Sequence, residues 1–331
     1  MVILVVLGML LIALSFSTQL ANVASELDRQ QRILAGRETN YMVARSAFEL
    51  ALQLVQADDN DTDGPGDLWA TGPQQLDWEG HNLRVEVQDE ERRLPLSGLV
   101  TEPPEGGQPA DPSPEQLAMR AALERFLDRA GQPSQRATAA LIDWIDSDSQ
   151  PQPGGTERGE LDGFQIKNAP IDSLYELRYI AGWGNPSLPR PRPLASAGTG
   201  EVEGVDVPTE EGLQTGNSNW SDWLTPYSEG KVNINTAPEE ILLALDGDMT
   251  DALVSEIITK RQEKALASEQ DLQEITGINP DLAFRLNRLV TYKSRHFRIR
   301  IVVDDQPGRI RLEAVVRRDQ QNPRVLSWEV N

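Results

Sequence analysis

The sequence predicts an α+β fold in which a long N-terminal helix and an antiparallel sheet carry a large, mostly helical insertion between the strands. Two observations predict this fold: the chain opens on a long run without charged side chains, and alternating strand patterns occur before and after a block of helical patterns. Strands on both sides of that block are expected to meet in one sheet. The expected parts are 1–56 for the helix, 57–100 for the first strands, 101–291 for the insertion and 292–331 for the closing strands.

The composition is that of an acidic, globular protein. Of its 331 residues 39% are hydrophobic, 52 are acidic and 31 are basic, which gives a formal charge of -21. This charge repels phosphate backbones and favours cations or basic partners. The chain has no cysteine, which excludes disulfides and a cysteine nucleophile. His81 and His296 accompany no nucleophile elbow or phosphate-binding loop, so no catalytic residue and no enzyme activity are predicted.

Residues 1–25 are predicted to anchor the chain in a membrane. They contain no charged side chain, and about 20 apolar helical residues cross a bilayer. The flanks differ from those of a cleaved secretory signal, so we expect that a short basic leader was removed before Met1. Apolar residues recur at helical spacing up to residue 56, which predicts that one helix continues out of the membrane. An ordinary signal-anchored periplasmic protein is the alternative.

The loop after this helix carries a weak calcium-binding pattern. Asp59, Asp61, Asp63 and the following glycine match the opening of a Ca²⁺-binding loop, but Ala70 stands where a bidentate glutamate should close it. A proline also interrupts the pattern directly after its glycine. A solvated loop at the end of the helix is therefore the alternative prediction.

Two strands are predicted over residues 81–99. Leu83, Val85 and Val87 alternate with polar residues, and a short acidic turn then leads to a second strand at residues 92–96. The sequence therefore predicts a half-buried hairpin. A proline-rich linker covers residues 101–114, and Ser113 is the predicted N-cap of the first inserted helix.

An acidic cluster follows the second inserted helix. Asp146 and Asp148 end the helix, a Pro/Gly loop follows, and Glu157 comes soon after. Hard cations such as Ca²⁺ take six to eight oxygen ligands from flexible loops, so Asp146, Asp148 and Glu157 are candidate ligands. Solvation of the helix end is an equally simple explanation of the spacing. A paired-carboxylate hydrolase would need a second catalytic group that the sequence does not suggest.

Local patterns predict the remaining elements. Residues 184–230 are rich in Pro, Gly, Ser and acid, which predicts a long mobile loop, with Trp220 and Trp223 docking its end. Residues 232–290 predict a helical bundle whose first helix is capped by Thr236. A closing hairpin is predicted at 296–303 and 309–316, and a last strand at 325–330.

Several segments resemble the general secretion pathway protein K family, the large minor pseudopilins of type II secretion systems. In the family's order they are residues 67–70, 86–99, 141–148 with 154–157, 168–177 and 232–238. The resemblance leaves out mainly the 184–219 loop. The segment Arg93–Ser97 and the Arg-Gly pair after Glu157 depart from the family pattern.

The resemblance implies a single-pass protein of the bacterial inner membrane whose bulk is periplasmic. Met1 would be the new N-terminus after cleavage by a prepilin peptidase, with its amine methylated, and Val5 replaces the glutamate of most pilins. The family is thought to cap the pseudopilus with the I and J minor pseudopilins and to start its assembly. The H and major pseudopilins and the inner-membrane secretion platform are further expected partners. The resemblance also implies a structural Ca²⁺ at Asp146, Asp148 and Glu157.

Residues 232–278 also resemble the helix-hairpin-helix modules of periplasmic DNA receptors. Such hairpins expose backbone N–H groups to a phosphate. Here the first hairpin carries Asp246 and Asp248, which would repel one, and the available positive charge is limited to Lys260, Arg261 and Lys264. The sequence therefore predicts no nucleic-acid partner, and a membrane-anchored DNA receptor is the alternative function.

Overall fold

The computed structural model describes residues 2–78, 80–100, 111–157, 166–183, 219–305, 308–319 and 322–331. Short 3₁₀ helices lie at Leu68–Ala70, Leu174–Tyr179 and Trp220–Asp222. In chain order the other elements are α1 (Val2–Ala57), β1 (Gln74–Trp78), β2 (His81–Asp89), β3 (Leu94–Pro95), α2 (Pro114–Arg129), α3 (Ser134–Ile145), β4 (Leu224–Thr225), β5 (Val232–Asn233), α4 (Glu239–Leu245), α5 (Asp251–Glu263), α6 (Glu269–Gln273), α7 (Pro280–Leu289), β6 (Val290–Thr291), β7 (His296–Asp305), β8 (Gly308–Arg317) and β9 (Arg324–Val330).

Helix α1 confirms the long N-terminal helix that the sequence predicts. Its 56 residues contain no proline, so no backbone N–H is missing and no ring interrupts the helix. From Met9 to Gln30 every residue of α1 is exposed, whereas Ala44, Phe48 and Val55 in the second half are buried. By length and composition, α1 is the one candidate membrane span among the described residues.

A five-stranded antiparallel sheet, in the order β1-β2-β7-β8-β9, packs against the second half of α1. β2 and β7 are neighbours, with Leu83 opposite Val303 and Asp89 opposite Phe297. The α-helices α2 to α7 all lie between these two strands in the sequence. The predicted α+β fold is confirmed, and so are the closing hairpin of β7 with β8 and the last strand, β9.

The hairpin predicted over residues 81–99 is wrong. β2 instead pairs with β1, a strand that the sequence did not suggest, through a turn that includes Gly80 at φ +84°. The predicted second strand is reduced to Leu94 and Pro95, which pair in parallel with β4. The acidic turn between the two predicted strands is buried rather than solvated, because its charges find partners inside the fold.

The helical part comprises α2 to α7 with the short strands β3 to β6. Ser113 caps α2 as predicted, through a capping box with Gln116. The predicted Thr236 cap of α4 is wrong, because Pro238 occupies the N-cap position. The buried Thr236 hydroxyl instead donates to Asp89 over 2.5 Å. Trp220 and Trp223 are buried against the helices, as predicted for the end of the 184–230 loop, whose residues 184–218 lie outside the described ranges.

The buried hydrophobic residues form two clusters. The sheet cluster joins α1 to the inner faces of β2, β7 and β8 around Phe48, Leu83 and Phe297. The helical cluster joins α2 to α7 around Phe126 and Trp223. Leu94, Leu96 and Leu99 pack in the helical cluster. Val87 packs in the sheet cluster and Leu94 in the helical cluster, so the chain passes from one cluster to the other within residues 88–93. The predicted domain boundaries stay a prediction.

Candidate metal centre

Helix α3 positions two carboxylates at its C-terminal end. Every residue from Ala137 to Ile145 is buried, so the chain packs tightly up to the point where the helix stops. Asp143 lies in the last turn, fully buried, and Asp146 follows in an extended conformation with 7% of its surface exposed. The end of α3 therefore fixes the position of both side chains.

The loop after α3 brings further oxygen atoms to the same place. One carboxylate oxygen from each of Asp146, Asp148 and Glu157 lies within 4.8 Å of the other two. Asn168 adopts a left-handed conformation at φ 47° and donates from Nδ2 to the Asp148 carbonyl oxygen over 2.6 Å. The three residues selected from the sequence therefore converge, and Asn168 closes the loop around them.

Four buried oxygen atoms at this site accept no hydrogen bond. They are Oδ2 of Asp143, Oδ1 of Asp146, Oε1 of Glu157 and Oδ1 of Asn168, and they make up most of such atoms among the described residues. Buried polar atoms are nearly always satisfied. All four are acceptors of the kind that a hard cation takes, so the residues fit a Ca²⁺ ion.

The electrostatics of the site also favour a cation. Burial and then the neighbouring charges of Asp148 and Asp143 raise the pKa of Asp146 to about 7. Burial is likewise the largest cause of the raised pKa of Asp143 and of Glu157. Carboxylates that repel one another in a partly desolvated pocket are stabilised by a divalent ion.

The two glycines of the loop have steric reasons to be there. Gly154 has φ +86°, which side chains rarely adopt, and a Cβ on Gly155 would collide with Oδ2 of Asp143. Asp143 and Asn168 were missed in the sequence. Asp143 has the helical i, i+3 spacing to Asp146 that could have identified it, whereas Asn168 follows a stretch with no such signal.

In the weaker calcium-binding pattern after α1, the one buried aspartate, Asp63, forms an ion pair with an arginine. Asp59 and Asp61 are exposed, whereas Asp63 is fully buried and accepts from Arg318 over 2.5 Å and from the Ser294 backbone over 2.7 Å. Burial raises the pKa of Asp63 to about 6 against the opposing effect of Arg318. The acidic group that converges here is Asp58 with Asp63 and Asp67, and Arg318 supplies its positive charge.

The helix-hairpin-helix-like bundle uses its charges internally. Asp246 and Asp248 of the first hairpin pair with Arg285 at 2.8 and 2.5 Å. Arg261 is buried and donates to the carbonyl oxygens of Ile234 and Ala237 over 2.8 and 2.7 Å. Lys260 lies 3.7 Å from Glu263. Arg261 therefore connects α5 to the start of the bundle, and its guanidinium is not available to bind a phosphate.

Two family models match the chain, and both describe protein K of the type II secretion system. One matches residues 93–199 and the other residues 232–290. The chain is also similar to one chain of the crystal structure of the GspK-GspI-GspJ complex from the enterotoxigenic Escherichia coli Type 2 Secretion System. The TM-score is 0.64 at 16% identity, over 91% of this chain and 99% of the other, which shows a shared fold. No curated protein matches the sequence significantly.

Proposed function

Because the chain belongs to the type II secretion system protein K family, we propose that this minor pseudopilin caps the tip of the pseudopilus and starts its assembly. The observation that carries the proposal is the pair of family models, which cover most of the helical part. The fold likeness to a chain from a three-subunit pseudopilin complex supports the same role. The I and J minor pseudopilins are the proposed partners, with the H and major pseudopilins and the secretion platform beyond them.

The architecture suits a terminal subunit. α1 is a continuous stalk whose exposed apolar first half can cross a membrane, and the helical part is inserted at one end of the sheet. A bulky insertion above the sheet would block the addition of a further subunit on that side, so growth would proceed from the other side. We place the bulk of the chain in the periplasm, with Met1 as the processed and methylated N-terminus.

We further propose that the site at the end of α3 holds a structural Ca²⁺. Asp143, Asp146, Asp148, Glu157 and Asn168 would bind it. When bound, the ion would neutralise the mutual repulsion of the carboxylates. It would also tie the end of α3 to the loop and to the segment that begins at Asn168.

Addition of Ca²⁺ to chelator-treated protein is expected to raise the free energy of unfolding. The gain should be about 2.7 kcal/mol at a free Ca²⁺ concentration of 100 times Kd, because the ion binds only the folded site. It should shrink as the pH falls below the Asp146 pKa of about 7, since protons then compete with the ion. Thermal unfolding with and without Ca²⁺, at several pH values, measures the effect.

The matched variants are Asp146→Asn with Asp148→Asn, and the control Asp172→Asn. The double variant should lose the Ca²⁺ effect. Asp172 belongs to the same part of the chain, but its side chain is 87% exposed, so the control should keep the effect. An undiminished Ca²⁺ effect in the double variant would assign the ion to another place.

The tip proposal predicts a stable complex of the full-length protein with the I and J minor pseudopilins. Co-expression and affinity purification in detergent should recover the three chains together, while an unrelated single-pass protein recovers none. A Ca²⁺ chelator should loosen the complex if the metal centre supports the interacting surface. Absence of any complex, together with salt-sensitive DNA retention, would reject the tip role in favour of the DNA receptor.

A further inference from the structure

Five consecutive charged residues are buried where the chain passes from the sheet to the helical part. Asp89, Glu90, Glu91, Arg92 and Arg93 are each at most 5% exposed. Segments between two clusters of a protein are usually exposed and polar, and they permit relative motion. Burial of charges costs several kcal/mol for each ion unless partners compensate. The partners of this segment therefore indicate what it does.

Asp89 is the centre of a compact hydrogen-bond network. Its Oδ2 accepts from Thr236 Oγ1 over 2.5 Å, from Ser294 Oγ over 2.7 Å and from Asn233 Nδ2 over 2.9 Å. Its Oδ1 accepts from the Glu91 backbone N–H over 2.8 Å. All four side chains are fully buried. We call Asp89, Asn233, Thr236 and Ser294 the joint.

The joint connects segments that are distant in the sequence. Asp89 ends β2, where the chain leaves the sheet, and Ser294 precedes β7, where the chain returns. Asn233 and Thr236 lie at the start of the helical bundle. The Asp89 carboxylate thus connects the segment that leaves the sheet, the segment that returns to it and the start of the helical bundle.

Neighbouring contacts brace the joint on both sides. Asn233 Nδ2 also donates to the Asp63 carbonyl oxygen over 3.1 Å, which reaches the loop after α1. The Asn233 backbone donates to the Glu91 carbonyl oxygen over 2.7 Å, and Glu91 accepts from the Arg295 backbone over 2.9 Å. The charged groups around Asp89 are Glu91, Asp63 and Arg92. Networks of this kind, when satisfied, make a structure rigid.

We propose that the joint locks the direction in which the helical part projects from the sheet, so that both move as one rigid body. This inference goes beyond the tip role and does not depend on which subunits bind. In the locked state the path from α1 through the sheet to the helical part has no flexible link. A disrupted joint removes the carboxylate that both crossings share, and the two parts are then held only by the peptide segments and the neighbouring contacts, so they can move relative to each other.

The absence of cysteine makes a distance measurement across the joint straightforward. Cysteines replace Gln75 on β1 and Ser255 on α5, which are both exposed, and each carries a spin label in the full-length protein in detergent. Double electron–electron resonance should give one narrow distance distribution. Asp89→Ala should broaden it about twofold or more, because loosely joined parts move relative to each other.

Two further variants keep the test decisive. Asp89→Asn keeps an acceptor for Thr236, Ser294 and Asn233 but turns an NH2 group toward the Glu91 backbone N–H, so it should broaden the distribution less than Asp89→Ala does. Ser294→Ala removes one donor and should broaden it partially, which gives a result even if Asp89→Ala does not fold. Arg285→Ala is the control and should change nothing, because it removes ion pairs of a 42% exposed arginine that lie within the helical part alone. Wild-type widths in folded Ser294→Ala and Asp89→Ala would overturn the proposal.

Discussion

Glu90→Gln is expected to lower the free energy of unfolding by about 3–5 kcal/mol, because it leaves buried positive charge without its counter-charge. Glu90 is fully buried, and it pairs with Arg93 and with Arg298, whose Nε lies 2.9 Å from Oε1. Glutamine keeps the shape of the side chain but not its charge. Burial opposes ionisation of Glu90, yet Arg298 and Arg93 outweigh it and hold its pKa below the usual range.

Urea unfolding followed by tryptophan fluorescence measures this effect, with Glu263→Gln as the matched control. Glu263 lies 3.7 Å from Lys260 at the surface, and exposed pairs contribute only about 0–1 kcal/mol. The lowered pKa of Glu90 also determines how its contribution to the free energy of unfolding changes with pH. A lowered carboxyl pKa contributes stability above the ordinary pKa and loses it as the pH falls through the lowered value. Equal destabilisation by the two variants would mean that the Glu90 cluster is not energetically special.

The residue pattern along the chain was sufficient to predict helices and strands that depend on residues close to them in the sequence. The uncharged run predicted α1 because nothing within it interrupts a helix. The alternation in β7 and β8 predicted their hairpin because a short turn sets the pairing. The Ser113 cap and the start of its helix followed from the serine and the proline directly after it. In each case the information is local.

The joint could not be predicted for the opposite reason. A run of five charged residues indicates a solvated turn unless its partners are known, and those partners come from β5, from the Ser294 segment and from β7. The same applies to Thr236, whose hydroxyl is used by Asp89 instead of the helix that follows. Tertiary hydrogen bonds here override local preference.

The metal centre lies between these cases. Asp146, Asp148 and Glu157 converge as the sequence suggested, because one short loop carries them all. Asp143 was missed because it lies in the apolar C-terminal stretch of α3, which indicates a buried helix face. Asn168 was missed because it reaches the site from a later segment. Spacing identified the loop, but it could not identify a ligand that the fold supplies from elsewhere.

Phe297→Ala is expected to lower the free energy of unfolding by about 3–5 kcal/mol, which is typical of a fully buried phenylalanine. Phe297 is 0% exposed in the sheet cluster. Its ring meets Trp69 edge-on at 5.0 Å, and the Arg318 guanidinium lies 4.9 Å from its centre. The truncation therefore leaves a cavity and also removes two aromatic contacts.

Phe284→Ala is the control for this substitution, since Phe284 is 56% exposed on α7 and its truncation should cost less than about 1 kcal/mol. The unfolding transition of Phe297→Ala also shows whether the sheet and the helical part unfold together. If the joint couples the two clusters, Phe297→Ala should shift one cooperative transition reported by probes in both the sheet and the helical part. If the helical part instead kept the wild-type midpoint while the sheet melted early, the clusters would be independent, and the buried charges at 89–93 would support only local structure.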